Sequence, residues 1–121
     1  MTLRSIPVIA AAMLLSQAAS AQDSVTDFRL AAAPGNIQGC IAMDSAFTRV
    51  HTLTIKGGTA EIKSAGGIDD KMKMVRPGVY ETTFQLSGGH LDIVADTTAT
   101  PKSLTVTSKN LGCKWMGVPA Q

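Results

Sequence analysis

The sequence predicts an all-β domain, a small antiparallel meander closed into a barrel or barrel-like sandwich of about seven or eight strands. Two observations support this. After about residue 36, apolar and polar residues alternate in short segments that glycine-rich or proline-containing turns separate roughly every eight to twelve residues. The only two cysteines, Cys40 and Cys113, fall in the first and last of these segments, so we expect a disulfide that links the first and last strands.

The first residues have the pattern of an export signal. Arg4 precedes an apolar run over residues 6–15, and Ala19-Ser20-Ala21 matches the A-x-A site of signal peptidase. We expect a cleaved signal peptide over residues 1–21. The apolar run is shorter than the roughly 20 residues that a membrane-spanning helix needs, and no later segment is long enough, so we expect no transmembrane segment. The expected location is the bacterial periplasm, with secretion as the alternative.

A lipoprotein is the other interpretation of the N-terminal region, because residues 37–40 loosely resemble a lipobox. A lipobox follows directly on the apolar run, whereas Asp23, Asp27 and Arg29 intervene here. Acylation of Cys40 would also leave Cys113 unpaired in an oxidising compartment. The sequence therefore favours the disulfide.

Charge and size restrict the possible functions. The chain has eleven Lys and Arg residues and nine Asp and Glu residues, and loss of Arg4 with the leader leaves a nearly neutral protein. The lysines are scattered, without the basic face and stacking aromatics of a nucleic-acid binder. The remaining chain has the size of one domain. We expect a monomer that does not bind nucleic acid.

The N-terminal part of the mature chain is the least regular. Residues 22–36 are expected to form an N-terminal arm or an edge strand, and residues 37–121 a single β domain. In the strand predicted around Cys40, Ile37, Ile41 and Met43 share one phase, while Cys40 and Ala42 share the other. A β-bulge, or a strand covered on both faces, would reconcile the two phases.

The following segments each predict a strand. Leu53 and Ile55 share one face of residues 51–56, and Gly57-Gly58 supplies a two-residue hairpin turn to a strand over residues 60–64. A loop over residues 66–70 leads to a strand with Met72 and Met74 on one face, which ends at residues 76–78.

The second half of the chain continues the alternation. Residues 79–86 and 90–95 predict two strands joined by Ser87-Gly88-Gly89, and residues 97–102 predict a loop. Residues 104–107 and 113–116 predict the last two strands, separated by a turn at residues 110–112. The predicted inward side chains are Leu53, Ile55, Ile62, Met72, Met74, Tyr80, Phe84, Leu86, Leu91, Ile93, Leu104, Val106 and Trp115.

The predicted disulfide favours closure of the sheet. Short connections make sequential strands antiparallel neighbours, so the meander has two free edges, which the cysteines join. Closure removes exposed edge amides, and the 73-residue separation corresponds to about 4 kcal/mol of chain-entropy stabilisation.

Met72-Lys73-Met74 is the strongest indication of a possible metal site in the sequence. Two thioethers at i and i+2 of a strand point the same way, and with an imidazole from His51 or His90 they could hold Cu(I). The pair resembles the Met-x-Met element of small periplasmic copper chaperones of the β-barrel type, which implies a copper carrier. Methionine also fills irregular cores, and core packing is the favoured interpretation. We therefore expect no metal and no cofactor.

The sequence gives no pattern of a catalytic site. The histidines lack further ligands at metal-binding spacing, and no serine lies in a G-x-S-x-G elbow. Asp69-Asp70 follows two glycines but lacks the other ligands of a calcium loop. We expect a protein that is not an enzyme.

Two functions remain as hypotheses. The first is a non-catalytic binding or interaction module of the cell envelope, which contacts an envelope protein or a small ligand through loops that carry Asp69, Asp70, Lys71, Arg76 and Lys102. The alternative is a carrier of a small ligand or of Cu(I) that uses Met72 and Met74.

One further resemblance supports the interaction hypothesis. In size, signal and paired cysteines the chain is similar in outline to the periplasmic lysozyme inhibitors, which are small β-barrels. Residues 77–80 have a proline where those inhibitors have a serine, so the resemblance implies no inhibitory residues here.

Overall fold

Eight antiparallel strands, each paired with the next along the chain, close into a barrel in the computed structural model. The structure describes residues 23–65, 67–86 and 89–120. The strands are β1 (Ser24–Ala32), β2 (Val50–Lys56), β3 (Thr59–Ser64), β4 (Asp69–Arg76), β5 (Val79–Leu86), β6 (Gly89–Asp96), β7 (Ser103–Ser108) and β8 (Cys113–Pro119). A 3-10 turn (Gln38–Cys40) and one helix, α1 (Ile41–Phe47), lie between β1 and β2. The predicted leader, residues 1–21, lies outside the described residues.

The barrel closes through β1, which pairs with β2 on one side and β8 on the other. Phe28 faces His51 across the first pair, and Leu30 faces Gly117 across the second. The backbones approach so closely that a Cβ on Gly117 would clash with the carbonyl group of Arg29. The predicted closed antiparallel meander is therefore confirmed, and the described part of the sheet has no free edge.

The first strand is not where the sequence analysis placed it. Residues 22–36 were expected to form an arm or an edge strand, whereas Ser24–Ala32 is paired on both sides. The disulfide is confirmed, but Cys40 ends the 3-10 turn just before α1 and lies in no strand. The mixed phase around Cys40 has a helical explanation, because residues three and four apart share one face of a helix.

Side chains fill the barrel because apolar residues recur at every second position of the strands. Leu53 on β2 and Val106 on β7, for example, are almost fully buried. The largest fully buried side chains are Trp115, Tyr80, Phe28, Phe47, Leu53, Ile62, Leu91, Ile93, Leu104, His51, Val79 and Val106. The barrel thus has a packed core, as expected for eight strands filled by their own side chains.

Met74 is the exception among the predicted inward residues. It pairs with Tyr80, but its side chain is 44% exposed. The register of β4 shifts between Met74 and Arg76, which leaves Val75 as an extra residue at the end of the strand. Met74 therefore lies at the mouth of the barrel instead of in its core. The side chain of Leu86, also predicted to point inward, lies outside the described set.

The strand alternation separates the connections into two ends of the barrel. The segment that contains α1, the β7–β8 turn, the end of β3, the start of β4, the end of β5 and the start of β6 lie at one end, called here the helix end. The β2–β3 and β4–β5 turns and the β6–β7 loop lie at the far end. Gly57 and Gly58 have the positive φ angles that the predicted hairpin turn requires. No helix among the described residues has the length and apolar character needed to cross a membrane.

Candidate functional site

The segment over residues 33–49, called here the lid, carries α1 across the helix end of the barrel. Its buried residue Phe47 stacks on His51 with ring centroids 6.4 Å apart and contacts Trp115 at 4.6 Å. The Phe84 ring lies 6.1 Å from that of Phe47. Phe47 thus closes the barrel from above, and the aromatic rings beneath it form the upper layer of the core.

Three consecutive residues of β8 hold the lid in place. Cys113 is joined to Cys40 with a Cα–Cα distance of 5.7 Å, and both cysteines are buried. The Asn36 amide donates to the Lys114 carbonyl at 2.9 Å and accepts from the Lys114 N–H at 2.8 Å.

Two more hydrogen bonds complete this attachment. The Ala33 N–H donates to the Lys114 carbonyl at 2.9 Å. The Trp115 indole N–H donates to Asp44 Oδ1 at 2.8 Å, which gives a fully buried ring nitrogen its acceptor. The beginning, middle and end of the lid are therefore all fixed, which makes it a preorganised surface.

His51 is the buried titratable group of this end. Its Nδ1 lies 3.0 Å from the Arg49 carbonyl, which can only accept, so Nδ1 carries the proton. Its Nε2 is buried without a partner among the described residues. Burial lowers the pKa of His51, and the hydrogen bond to the Arg49 carbonyl partly offsets this effect. The ring is therefore neutral in the folded protein near pH 7.

Three large aliphatic side chains are exposed on the outer side of the lid and of the turn beside it. They are Ile37 (59% exposed), Ile41 (62%) and Leu111 (41%), and we call them the apolar rim. The disulfide links the two segments that carry them, because Ile41 directly follows Cys40 and Leu111 lies two residues before Cys113. Ile37 follows Asn36, which is bonded to Lys114.

Cations border the apolar rim. Lys109 and Lys114 are exposed on either side of Leu111, and Arg49 follows the lid helix. The Lys109 ammonium lies 3.3 Å from Asp92 Oδ2 but remains 82% exposed, so the contact is weak. The Arg49 Nε donates to the Ser45 carbonyl at 2.6 Å. The helix end thus combines exposed aliphatic groups with positive charge.

The structure does not assemble the predicted copper ligands into one site. Met72 and Met74 share a face of β4, but Met72 is buried and Met74 is partly exposed near the far end. His51 and His90 lie at the helix end, His51 in the core and His90 exposed, 3.5 Å from the Gln85 amide. Met72 pairs with Ala60, which pairs with Ile55, so His51 lies four residues, or about 13 Å, further along β2.

The predicted interaction residues are likewise spread over the molecule. Asp69, Asp70 and Lys71 were expected in a loop but begin β4, where Asp69 faces Lys63 and Lys71 faces Glu61. Residues of opposite charge therefore lie across from each other in the β3–β4 pair, an arrangement that favours strand pairing.

The remaining two predicted interaction residues lie at the other end of the barrel. Arg76 ends β4, and Lys102 belongs to the β6–β7 loop. The Thr97 N–H and hydroxyl fix this loop by donating to the Gly78 carbonyl at 2.8 and 2.7 Å. The five predicted residues therefore form no common surface.

The lid and its exposed rim were not predicted from the sequence. The signal was present in the spacing of Ile37 with Ile41 and of Met43 with Phe47, each four residues apart, which is helical spacing. The segment is too short for a helical period to dominate. Within residues 23–65, 67–86 and 89–120, no three His, Cys, Asp or Glu side chains gather where they could hold a metal ion.

Comparison of the chain with protein-family models, curated proteins and solved structures found no match.

Proposed function

We propose that the protein is an exported, disulfide-stabilised, non-catalytic binding module of the bacterial periplasm that acts through its helix end. The observation that carries this proposal is the apolar rim: Ile37 and Ile41 stay exposed on a lid that a disulfide and side-chain hydrogen bonds fix to β8, and Leu111 stays exposed in the turn that precedes β8. Grouped exposed apolar side chains on a soluble domain are typical of interaction sites.

The rigidity of the lid supports binding as the role of this surface. A surface that is already ordered loses little conformational freedom when a partner arrives, so more of the contact energy contributes to affinity. The filled barrel interior supports an external binding surface over an internal ligand chamber.

The export part of the proposal rests on the leader pattern of residues 1–21 and on the disulfide. Disulfides form and persist in oxidising compartments such as the periplasm. Both cysteines are buried, which is consistent with a structural bond that stays oxidised there.

The test is capture of partners from an envelope extract by the purified, oxidised protein. We compare the unaltered protein with Ile41→Arg, which places a charge in the apolar rim, and with Val75→Arg on β4. Val75 is an exposed aliphatic residue on the opposite side of the barrel. Partners retained by the unaltered protein and Val75→Arg but lost by Ile41→Arg support the proposal. Equal retention by all three proteins contradicts it, and so does capture of neither protein nor lipid at micromolar concentration.

No observation favours Cu(I) carriage as a second function, because the two methionines have no histidine near them. Titration of the oxidised protein with Cu(I) tests this alternative. We expect Trp115 fluorescence to stay unchanged at one equivalent of metal, because Trp115 lies in the core beneath the lid. If one equivalent of Cu(I) quenches Trp115 fluorescence and Met72→Leu abolishes this quenching, the result supports the carrier hypothesis.

A further inference from the structure

Exposed apolar side chains of the described residues concentrate on one side of the barrel. Five large ones belong to the lid, the β7–β8 turn or β8, namely Ile37, Ile41, Leu111, Met116 and Val118. Three others, Val25, Met74 and Val75, lie elsewhere, the last two on β4, four strands from β8 around the ring. The distribution is therefore asymmetric.

The apolar rim continues down the outer face of β8. Lys114, Met116 and Val118 alternate with buried or partly buried residues and therefore point outward. Asn36 fixes the lid against Lys114, so Ile37 lies at the upper end of this row. We call the rim together with Met116 and Val118 the β8 flank.

Exposed cations lie on the β8 flank and beside it. Arg29 faces Val118 across the β1–β8 pair, Lys114 lies within the flank, and Lys109 precedes Leu111 in the turn. Three carboxylates lie nearby and keep their negative charge, and each has a partner within the fold. Asp27 accepts from Thr52, Asp44 from Trp115, and Asp92 from Thr83 and faces Lys109.

The composition of the flank distinguishes between a protein and a lipid partner. Protein interfaces are depleted of lysine, whereas membrane-binding surfaces place lysines beside apolar side chains. Here Trp115, Tyr80, Phe28 and Phe47 are buried, and the flank offers aliphatic groups beside lysines. Shallow aliphatic insertion beside basic side chains is how peripheral proteins bind anionic membranes.

We infer that the β8 flank is a docking surface for an anionic phospholipid membrane, with Ile37, Ile41 and Leu111 entering the headgroup region and Lys109 and Lys114 facing the lipid phosphates. This inference rests on the proposed function and names its partner. The fixed lid keeps Ile37 and Ile41 exposed, and Leu111 is exposed in the turn beside it.

The experiment is co-sedimentation of the exported protein, its N-terminus established by intact mass, with vesicles of phosphatidylglycerol and phosphatidylethanolamine or of phosphatidylcholine alone. We expect binding to the anionic vesicles, much weaker binding to phosphatidylcholine, and loss of binding when the salt concentration exceeds about 0.5 M, because salt screens surface charges.

Matched variants locate the surface. Ile37→Gln with Ile41→Gln should weaken binding at least about tenfold, from the apolar area that the two side chains bury. Met74→Gln with Val75→Gln removes exposed apolar groups from the opposite side and should change nothing. Lys109→Gln with Lys114→Gln should weaken binding about tenfold, whereas Lys71→Gln with Lys73→Gln should not.

The outcomes separate this inference from the proposed function. No binding to anionic vesicles, or equal weakening by flank and β4 variants, overturns the membrane inference. If an envelope protein is nevertheless captured and Ile41→Arg abolishes its capture, the binding module stands with a protein partner. If neither vesicle binding nor the capture of an envelope protein depends on the flank, both proposals fail.

Discussion

His51 is fully buried beneath the lid, with its neutral ring between Phe47 and the barrel wall. Its Nδ1–H is satisfied by the Arg49 carbonyl, while Nε2 has no partner among the described residues. Protonation would place a second donor and a positive charge in this apolar layer. Only burial and the Arg49 carbonyl shift the pKa, and no charged side chain contributes to the shift.

This geometry predicts that the lid weakens in mild acid. The pKa of His51 in the folded protein lies below its ordinary value of 6.5, so the unfolded state binds more protons as the pH falls. The free energy of unfolding should be highest above pH 6.5 and should fall below it by at most about 1.4 kcal/mol per pH unit, until the lowered pKa is reached.

Urea denaturation between pH 7.5 and pH 4.5 measures the effect. His51→Leu should remove the pH dependence in this window, whereas His90→Gln, a change at an exposed histidine, should retain it. Hydrogen bonds lower the pKa values of Asp92 and Asp96 from 3.8, so any stability linked to them is lost only at more acidic pH. An unchanged slope in His51→Leu would refute the assignment.

Gly117 is the other residue whose environment allows a direct prediction. A Cβ there would meet the backbone of Arg29 and Leu30 at 3.0 Å or less, and backbone cannot rotate away as a side chain can. Gly117→Ala should therefore destabilise the protein by about 2 kcal/mol or more, because β1 and β8 must separate. Thermal or urea unfolding measures this, with Gly35→Ala as the control, since nothing lies within 4 Å of its added Cβ. Similar stabilities of the two variants would contradict the close approach.

At the scale of elements, the lid depends on its attachment to β8 more than on its own helical stability. A seven-residue helix is too short to persist alone in water. Its Asp44 carboxylate accepts from the Trp115 indole, which has no exposed surface. The helix is therefore stabilised mainly by tertiary contacts.

Asp44→Ala should lower the free energy of unfolding by about 1 to 3 kcal/mol, because it leaves a buried indole N–H without an acceptor. Asp44→Asn keeps an oxygen acceptor and should cost clearly less. Urea unfolding followed by Trp115 fluorescence measures both variants. Equal stability of Asp44→Ala and the unaltered protein would show that the bond contributes nothing.

The sequence predicts the strands well and the lid poorly, for a physical reason. Strands such as residues 51–56 and 104–107 bury one face, so their alternation is visible in the sequence. The helix has fewer than two full turns, which is too few to show an apolar period, and it is stabilised by contacts with residues about seventy positions away. Local periodicity cannot reveal such long-range contacts.

The candidate binding surface is even harder to predict from the sequence than the lid. The apolar rim exists because two segments distant in sequence are joined at the disulfide, and neither residues 37–41 nor the predicted turn at residues 110–112 shows on its own that the other lies nearby. Met74 illustrates the reverse error. Its alternation with lysines predicts burial, but its place near the end of β4, next to the register shift, leaves it exposed.

For the whole molecule, the disulfide and the closure of the barrel are two separate structural features. Closure is made by backbone pairing of β1 with β8, whereas the disulfide joins the lid to β8. Replacing both cysteines with alanine should therefore leave the barrel closed but lower its stability by about 4 kcal/mol, the chain-entropy value for a 73-residue separation.

Urea unfolding gives the stability of this double variant, and hydrogen exchange tests closure directly. We expect the β1 and β8 amides to remain protected under native conditions while the lid amides exchange faster. Loss of protection throughout β1 and β8 would show that the barrel needs the covalent bond in order to close.

The order of attachment along the chain has a consequence for assembly. A polypeptide emerges N-terminus first, so β1 and the lid appear early, while residues 113–115 follow some seventy positions later. Until β8 arrives, β1 lacks one neighbour, Cys40 lacks its thiol partner and Phe47 lacks the indole against which it packs. The domain therefore cannot finish folding until its final strand has been synthesised. In a nascent chain stalled before residue 113, the barrel should be open and sensitive to proteases, and Cys40 should be a free thiol.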